Sequence, residues 1–350
     1  MSRSDKSQSA TAAGGPEAGR SILDDGLRFD TLFIGFSVLL MVGLAWDFQV
    51  HAGGISFAEE PFWTMPHTIV YGSGAGIAAL LGGAVLVRKR DGRAWLDAIP
   101  TGYALGLVGL LLFGAAGVGD FVWHEAISHE DTALEAVTSP THLGLTIGGA
   151  LFLSSPLRAA WRRRDQPTGL ALLPALLSLS FVLSIAVVFV PYLNPLTATQ
   201  ILTDPDLGPI IGLASMVVFP VVLLATSLVL LRRFSLPPGA LLVTFLIPGV
   251  VSVTAVQQFE LLIPLVAAAV VADAFVAVSP PTLDRTRSLR LFGVVVPLTF
   301  AVSYFQVVSI WHGLKPVWST HLWTGGVVVA GISGLLFTYA LIPDVRQTTY

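Results

Sequence analysis

The chain has 350 residues, of which 54% are apolar and only 12% charged, with a mean hydropathy of +0.77 and a formal net charge of −3. Soluble domains carry roughly 25% charged residues, so this composition places the chain in a lipid bilayer, with no basic patch for nucleic acid outside the short loops between helices. There is no cysteine, which excludes disulfides and thiolate metal sites; any metal must be held by nitrogen and oxygen.

Residues 1–30 are rich in Ser, Ala, Gly and charge and read as a disordered cytoplasmic tail without the apolar core of a signal peptide. Apolar stretches near the length of a membrane-spanning helix follow at 31–51, 67–87, 99–123, 142–158, 169–193, 209–231, 237–256, 259–279, 289–311 and 319–342. The expected fold is all-α: a polytopic membrane protein of about ten transmembrane helices. Its transmembrane domain, 31–345, divides into a first half over 31–158 and a second over 169–345. Arg greatly outnumbers Lys, and Ala, Gly and Val abound, a composition typical of a GC-rich prokaryote.

Alternate loops hold Arg88, Lys89, Arg90 and Arg93; Arg158, Arg162, Arg163 and Arg164; Arg232 and Arg233; and Arg285, Arg287 and Arg290. With Arg3, Lys6, Arg20 and Arg28 in the tail and Arg346 near the end, they place all 19 basic residues but Lys315 on one side. By the positive-inside rule that side is cytoplasmic, so both termini are expected there, in the cell membrane, with an even number of helices. All seven histidines (His51, His67, His124, His129, His142, His312 and His321) fall at the opposite, outward ends. Trp46, Trp63, Trp123, Trp311, Trp318 and Trp323 collect there too, partly as an interfacial aromatic belt.

The outward ends carry a repeated pattern. Asp120 and His124 stand four residues apart, followed by a Ser-Pro-Thr-His turn ending at His142. Earlier, Asp47 and His51 show the same step, Phe48 matches Phe121, and Pro66-His67 answers Pro140-Thr141-His142. Four residues is about one helical turn, so each aspartate shares a helix face with its histidine. A lone interfacial histidine most simply bonds to headgroups or loop carbonyls. Two repeated sets are different, because a carboxylate at the end of an apolar helix needs a partner. No outer-face arginine exists to serve either aspartate. The partners are histidines, or a cation that the histidines also hold.

Aspartate with two histidines is a metal-ligand set that copper, zinc and non-haem iron all accept, with a further position left open. The candidate ligands are therefore Asp47, His51 and His67, and Asp120, His124 and His142, with His129 available as a further nitrogen. The remaining polar residues carry weaker signals. Glu59 and Glu60 read as solvated loop residues, with capping of the first site or attraction of cations as the alternative, and Glu130 lies beside His129 in the second loop. Asp273 reads as either a proton-path group or a buried hydrogen-bond partner. The last hairpin, with His312 and His321, echoes the pattern but has Val308 where the aspartate would stand.

The Asp-x-x-x-His step followed by a Pro-proximal histidine, seen over about residues 30–150, resembles the C subunit of the copper membrane monooxygenases, the particulate methane and ammonia monooxygenases. That resemblance implies copper, a first site of Asp47, His51 and His67, and a second of Asp120, His124 and His142. It further implies partner membrane subunits and oxygen-dependent oxidation of a small apolar substrate. The chain departs from the family in having Asp120 where the family's second site has asparagine, in the longer spacing before the Ser-Pro-Thr-His turn, and in having more helices. Two other readings remain open: metal uptake, transport or storage, and a zinc-dependent hydrolase of membrane lipids. Lipid is a partner in all three, and a homo-oligomer is an alternative to distinct subunits.

Overall fold

The structure, a computed structural model, describes residues 26–52, 62–126, 133–198, 204–314 and 317–341. Among these residues every regular element is a helix. In chain order they are α1 (Gly26–Ala52), α2 (Met65–Arg90), the short α3 (Trp95–Ala98), α4 (Ala104–Ala126), α5 (Ala133–Thr138), α6 (Pro140–Leu153), α7 (Ser155–Arg162), α8 (Leu173–Phe189), α9 (Gly208–Leu231), α10 (Ala240–Val256), α11 (Leu262–Val278), α12 (Thr286–Trp311) and α13 (Thr320–Leu341).

Among the described residues, nine helical segments are long and apolar enough to cross a membrane, and α10 is a shorter apolar helix of 17 residues. Each of the ten expected stretches falls on a helical segment, nine of them long enough to span and one, α10, shorter. The chain is a multi-pass helical membrane protein, and its long exposed apolar side chains, such as Leu111, Val118, Ile210 and Leu336, are the surface that lipid covers.

Three local features add to the sequence expectation or differ from it. First, α1 begins at Gly26, inside the segment read as tail. Asp30, buried to 1% exposure, explains this: its carboxylate accepts a hydrogen bond from the Tyr103 hydroxyl at 2.6 Å and from an Arg163 guanidinium nitrogen at 2.5 Å. These partners, from the turn before α4 and the end of α7, fix the N-terminal end of α1.

Second, the fourth span is broken into α6 and α7 at Ser154, just before Pro156. The break leaves carbonyls of the last turn of α6 without helical partners, and a freed carbonyl inside a membrane needs another partner. The Arg158 guanidinium donates to the Leu151 carbonyl at 2.7 Å, and the Ser178 hydroxyl donates to that of Leu153 at 2.5 Å.

Third, Asp273 lies half-buried in α11 and accepts from the Leu241 and Leu242 backbone amides at 3.1 and 3.0 Å. It caps the first turn of α10, whose own cap residue, Gly239, has no side chain to do so. Of the two readings offered by the sequence, these hydrogen bonds match the hydrogen-bond partner.

Packing follows the hairpins. α1 lies on α2, α4 on α6, α11 on α12 and α12 on α13, while α10 joins α8 and α11. α1 also touches α8 and α10, tying the halves together. The α4–α6 crossing is close enough to require glycine. A Cβ on Gly148 would lie 2.7 Å from the Gly109 carbonyl oxygen, and one on Gly109 would lie 2.6 Å from that of Gly148, the small-residue contact that lets membrane helices approach backbone to backbone. This crossing brings the end of α4 to the start of α6.

Candidate metal centre

The second helices of these two hairpins, α2 and α6, start in the same way. Thr64 caps α2, its hydroxyl accepting from the His67 amide, and Ser139 caps α6, its hydroxyl accepting from the His142 amide, both at 3.3 Å. Proline follows in the first turn of each helix, where its missing N–H costs nothing. The histidine thus sits three residues past the cap in both copies, locked to the helix start. Read this way, every residue of Ser139-Pro140-Thr141-His142 has work to do. Ser139 caps the helix and lies 2.9 Å from His142 Nδ1, Pro140 starts the helix, and the Thr141 hydroxyl donates to Asp120 Oδ1 at 3.0 Å.

Asp120 is the centre of this arrangement. It projects from the last two turns of α4, is 1% exposed, and receives the Tyr71 hydroxyl on Oδ2 at 2.6 Å. His142 Nδ1 lies 3.5 Å from Asp120 Oδ1. Together Asp120, His124 and His142 offer ligand atoms that all lie within 4.8 Å of one another, and no other described group of three or more His, Asp or Glu is this tight. A buried carboxylate with two imidazoles at this spacing needs only small side-chain shifts to close around an ion at the roughly 2 Å that nitrogen and oxygen ligands take.

The first set is arranged differently. Asp47 Oδ1 and His67 Nε2 lie 3.4 Å apart, within ion-pair reach, yet Asp47 Oδ1 is buried without an aligned hydrogen bond. His67 Nδ1 lies 2.6 Å from the Phe62 carbonyl. A carbonyl only accepts, so Nδ1 carries the hydrogen there, and in the neutral ring Nε2 turns a lone pair toward a carboxylate. Two acceptors facing each other are unfavourable unless a proton or a cation lies between them. A ring N–H donated to a backbone carbonyl is also how metal-binding histidines are commonly oriented. His51 lies in the last turn of α1; it does not join Asp47 and His67 in a group as tight as the second set. His129, Glu59, Glu60 and Glu130 lie outside the described residues.

The two sets adjoin. The ring centroids of His67 and His124 are 6.0 Å apart, those of His124 and His142 6.3 Å, and Phe62 packs against both His67 and His124. Donors from the first and second hairpins thus form one continuous cluster rather than two distant sites. Beside it, between α2 and α4, an apolar cavity of about 390 Å³ is bounded by Phe62, Tyr71, Gly74, Ala78, Gly114 and Phe121 among others.

The second half contributes nothing to this cluster among the described residues. His312 Nε2 is 2.8 Å from Glu260 Oε1, an ion pair confined to the α11–α12 side of the molecule. Asn194, fully buried, donates to Ser252 and accepts from the Leu196 amide, a structural joint. Sequence reasoning missed Tyr71, Thr141, Thr64 and Ser139. The two caps carried a legible signal, since Ser or Thr three residues before His, with Pro between, is a helix start. Tyr71 carried none, because only the fold brings it to Asp120. Compared with known proteins, the chain matches no family model, no curated protein and no solved structure.

Proposed function

We propose that the protein binds a metal ion near the outer leaflet through Asp120, His124 and His142, with the Asp47–His67 pair as an adjoining donor set. The observation that carries this reading is the closeness of the three ligand atoms around a carboxylate that is almost fully buried at the end of an apolar helix. A buried charge of this kind is retained at considerable cost and marks a working site. The donors are nitrogen and oxygen only, which copper, zinc and iron all accept. Copper is the metal we propose, on the strength of the resemblance of these motifs to the copper membrane monooxygenases.

The chemistry proposed with it is oxidation of a small apolar molecule with oxygen. A bound copper ion would supply the redox centre; the chain supplies the ligands, a hydroxyl-lined aspartate and a neighbouring apolar cavity. The cavity is the feature that favours this over simple metal storage, which has no use for one.

Metal analysis of protein purified without added metals, with electron paramagnetic resonance on the same sample, tests the reading. The full chain is expected to carry metal, and His142→Ala to lose one equivalent while melting as the parent does, because His142 sits at a helix mouth. His312→Ala, on the Glu260 side of the molecule, should keep its full content. Binding should also weaken on acidification, since each imidazole must offer a deprotonated nitrogen. Full metal in His142→Ala, or none in the parent, would remove the basis for any metal function.

A further inference from the structure

The cavity between α2 and α4 is the feature of the molecule that local packing does not explain. The first hairpin packs α1 on α2 and the second packs α4 on α6, with much lighter contact between α2 and α4. Helices that merely leave a seam would close it with long side chains. Here Gly74, Ala75, Ala78, Gly114 and Gly117 line it instead. A Cβ on Gly114 would meet nothing within 4 Å, so this position faces open volume. At the other end the space is capped by aromatic rings. Phe62, only 3% exposed, packs against Tyr71 and Phe121 with centroid separations of 5.4 and 5.2 Å. Trp63 and Val118, 67% and 69% exposed, mark the mouth on the lipid side.

None of the lining side chains is charged, and the Tyr71 hydroxyl is already committed to Asp120. Apart from the exposed Trp63 indole at the mouth, the lining side chains offer a polar molecule no free donor or acceptor, whereas an apolar one loses nothing by entering from lipid. The volume of about 390 Å³ lies within the range of small-molecule sites. It holds on the order of a dozen non-hydrogen atoms, if each takes about the 30 Å³ that a water takes of liquid.

We infer that this cavity is a binding site for an uncharged, hydrocarbon-like molecule of that size, drawn laterally from the bilayer, with Phe62 and Tyr71 as the wall between it and the imidazoles. Both residues belong to the two places at once. Tyr71 lines the cavity and holds Asp120, while Phe62 lines the cavity, packs on His67 and His124 and orients His67 through its carbonyl. The occupant therefore stops one ring short of the ligand cluster. This deepens the proposed function by giving its substrate a place, but the cavity itself does not depend on a metal.

The test is photolabelling of the full chain in nanodiscs with a hexyl diazirine, followed by peptide mapping, with n-octane as competitor. Labelling within 65–78 and 110–121 is expected to saturate with probe and to be suppressed by n-octane. Labelling of lipid-facing peptides such as those around Ile210 and Leu336 should rise linearly and ignore the competitor. Gly114→Phe, whose ring would occupy the cavity, and Ala78→Leu from the opposite wall should each reduce the saturable labelling to the lipid-facing background. Gly83→Phe, also at a position with no heavy atom within 4 Å of a built Cβ but outside the cavity, should leave it unchanged and controls for folding. Linear labelling indifferent to n-octane and to both filling variants would mean that acyl chains of the bilayer simply wet a seam, and the inference would be wrong. The same labelling is run on chelated and on metal-loaded protein. Saturable labelling in protein that binds no metal would uphold the cavity and sink the metal reading, and the converse would do the opposite.

Discussion

Tyr71 is the residue on which the proposed metal centre and the proposed binding cavity meet. Its hydroxyl donates to Asp120 Oδ2 while Thr141 donates to Oδ1, so the carboxylate is held from both sides and cannot rotate freely about its last bond. Partners that orient a metal ligand in this way typically contribute 10–100-fold in affinity. Tyr71→Phe keeps the ring, and hence the cavity wall and the contact with Phe62, while deleting the hydroxyl. Metal affinity is expected to fall by about ten-fold or more on that basis, measured by competition with a chelator of known strength, with saturable diazirine labelling retained. Unchanged affinity would mean that Asp120 is positioned by Thr141 alone. At this scale the candidate ligands were legible in the sequence, because Asp-x-x-x-His at an apolar helix end has few bland explanations. Their tightness was not: Asp47 and Asp120 read alike, yet Asp120, His124 and His142 converge while His51 stands apart from so tight a group. The difference lies in what packs around each aspartate, and that information is spread over α2, α4 and α6.

Among the elements, the apolar stretches announced themselves by length, and the hairpin starts by proline and histidine. What escaped was where polar groups reach between helices. Asp30, at the end of what read as tail, and Asp273, stranded in an apolar run, are both explained by partners on other elements. Asp273 serves α10, an apolar helix of only 17 residues, by accepting two amides of its first turn. Such first-turn amides have no partner within their own helix, and leaving a buried donor unsatisfied costs about 1–3 kcal/mol. Asp273→Ala is therefore expected to destabilise the protein by at least about that amount, seen as a lower melting temperature in detergent. Asn, with one acceptor oxygen, should recover part of the loss. Metal content should not change in either variant, because α10 and α11 lie apart from the ligand cluster. A variant that melts normally but loses a proton-dependent activity would return Asp273 to the role of a proton relay.

For the whole molecule, the decisive asymmetry is the distribution of charge between its two ends. The ligand cluster lies at one end of the first two hairpins, where α1 and α4 finish and α2 and α6 begin. The opposite end holds Arg88, Lys89 and Arg90 at the close of α2, and Arg162 and Arg163 at the close of α7. Translocation of short loops rich in Lys and Arg is disfavoured, so this end is expected to remain in the cytoplasm and the cluster to face out. The absence of cysteine makes the test clean, since a single introduced thiol is the sole target of a membrane-impermeant maleimide. Cysteine at Ala52, beyond His51 on the cluster side, is expected to react in intact cells. Cysteine at Gly92, in the turn after Arg90, or at Gln166, after Arg164, should react only once the membrane is opened. The three positions decide independently, because they lie on three different connections. Reaction at Gly92 and Gln166 from outside, with Ala52 protected, would invert the molecule and place the ligand cluster in the cytoplasm, where an outer-leaflet role for it is impossible.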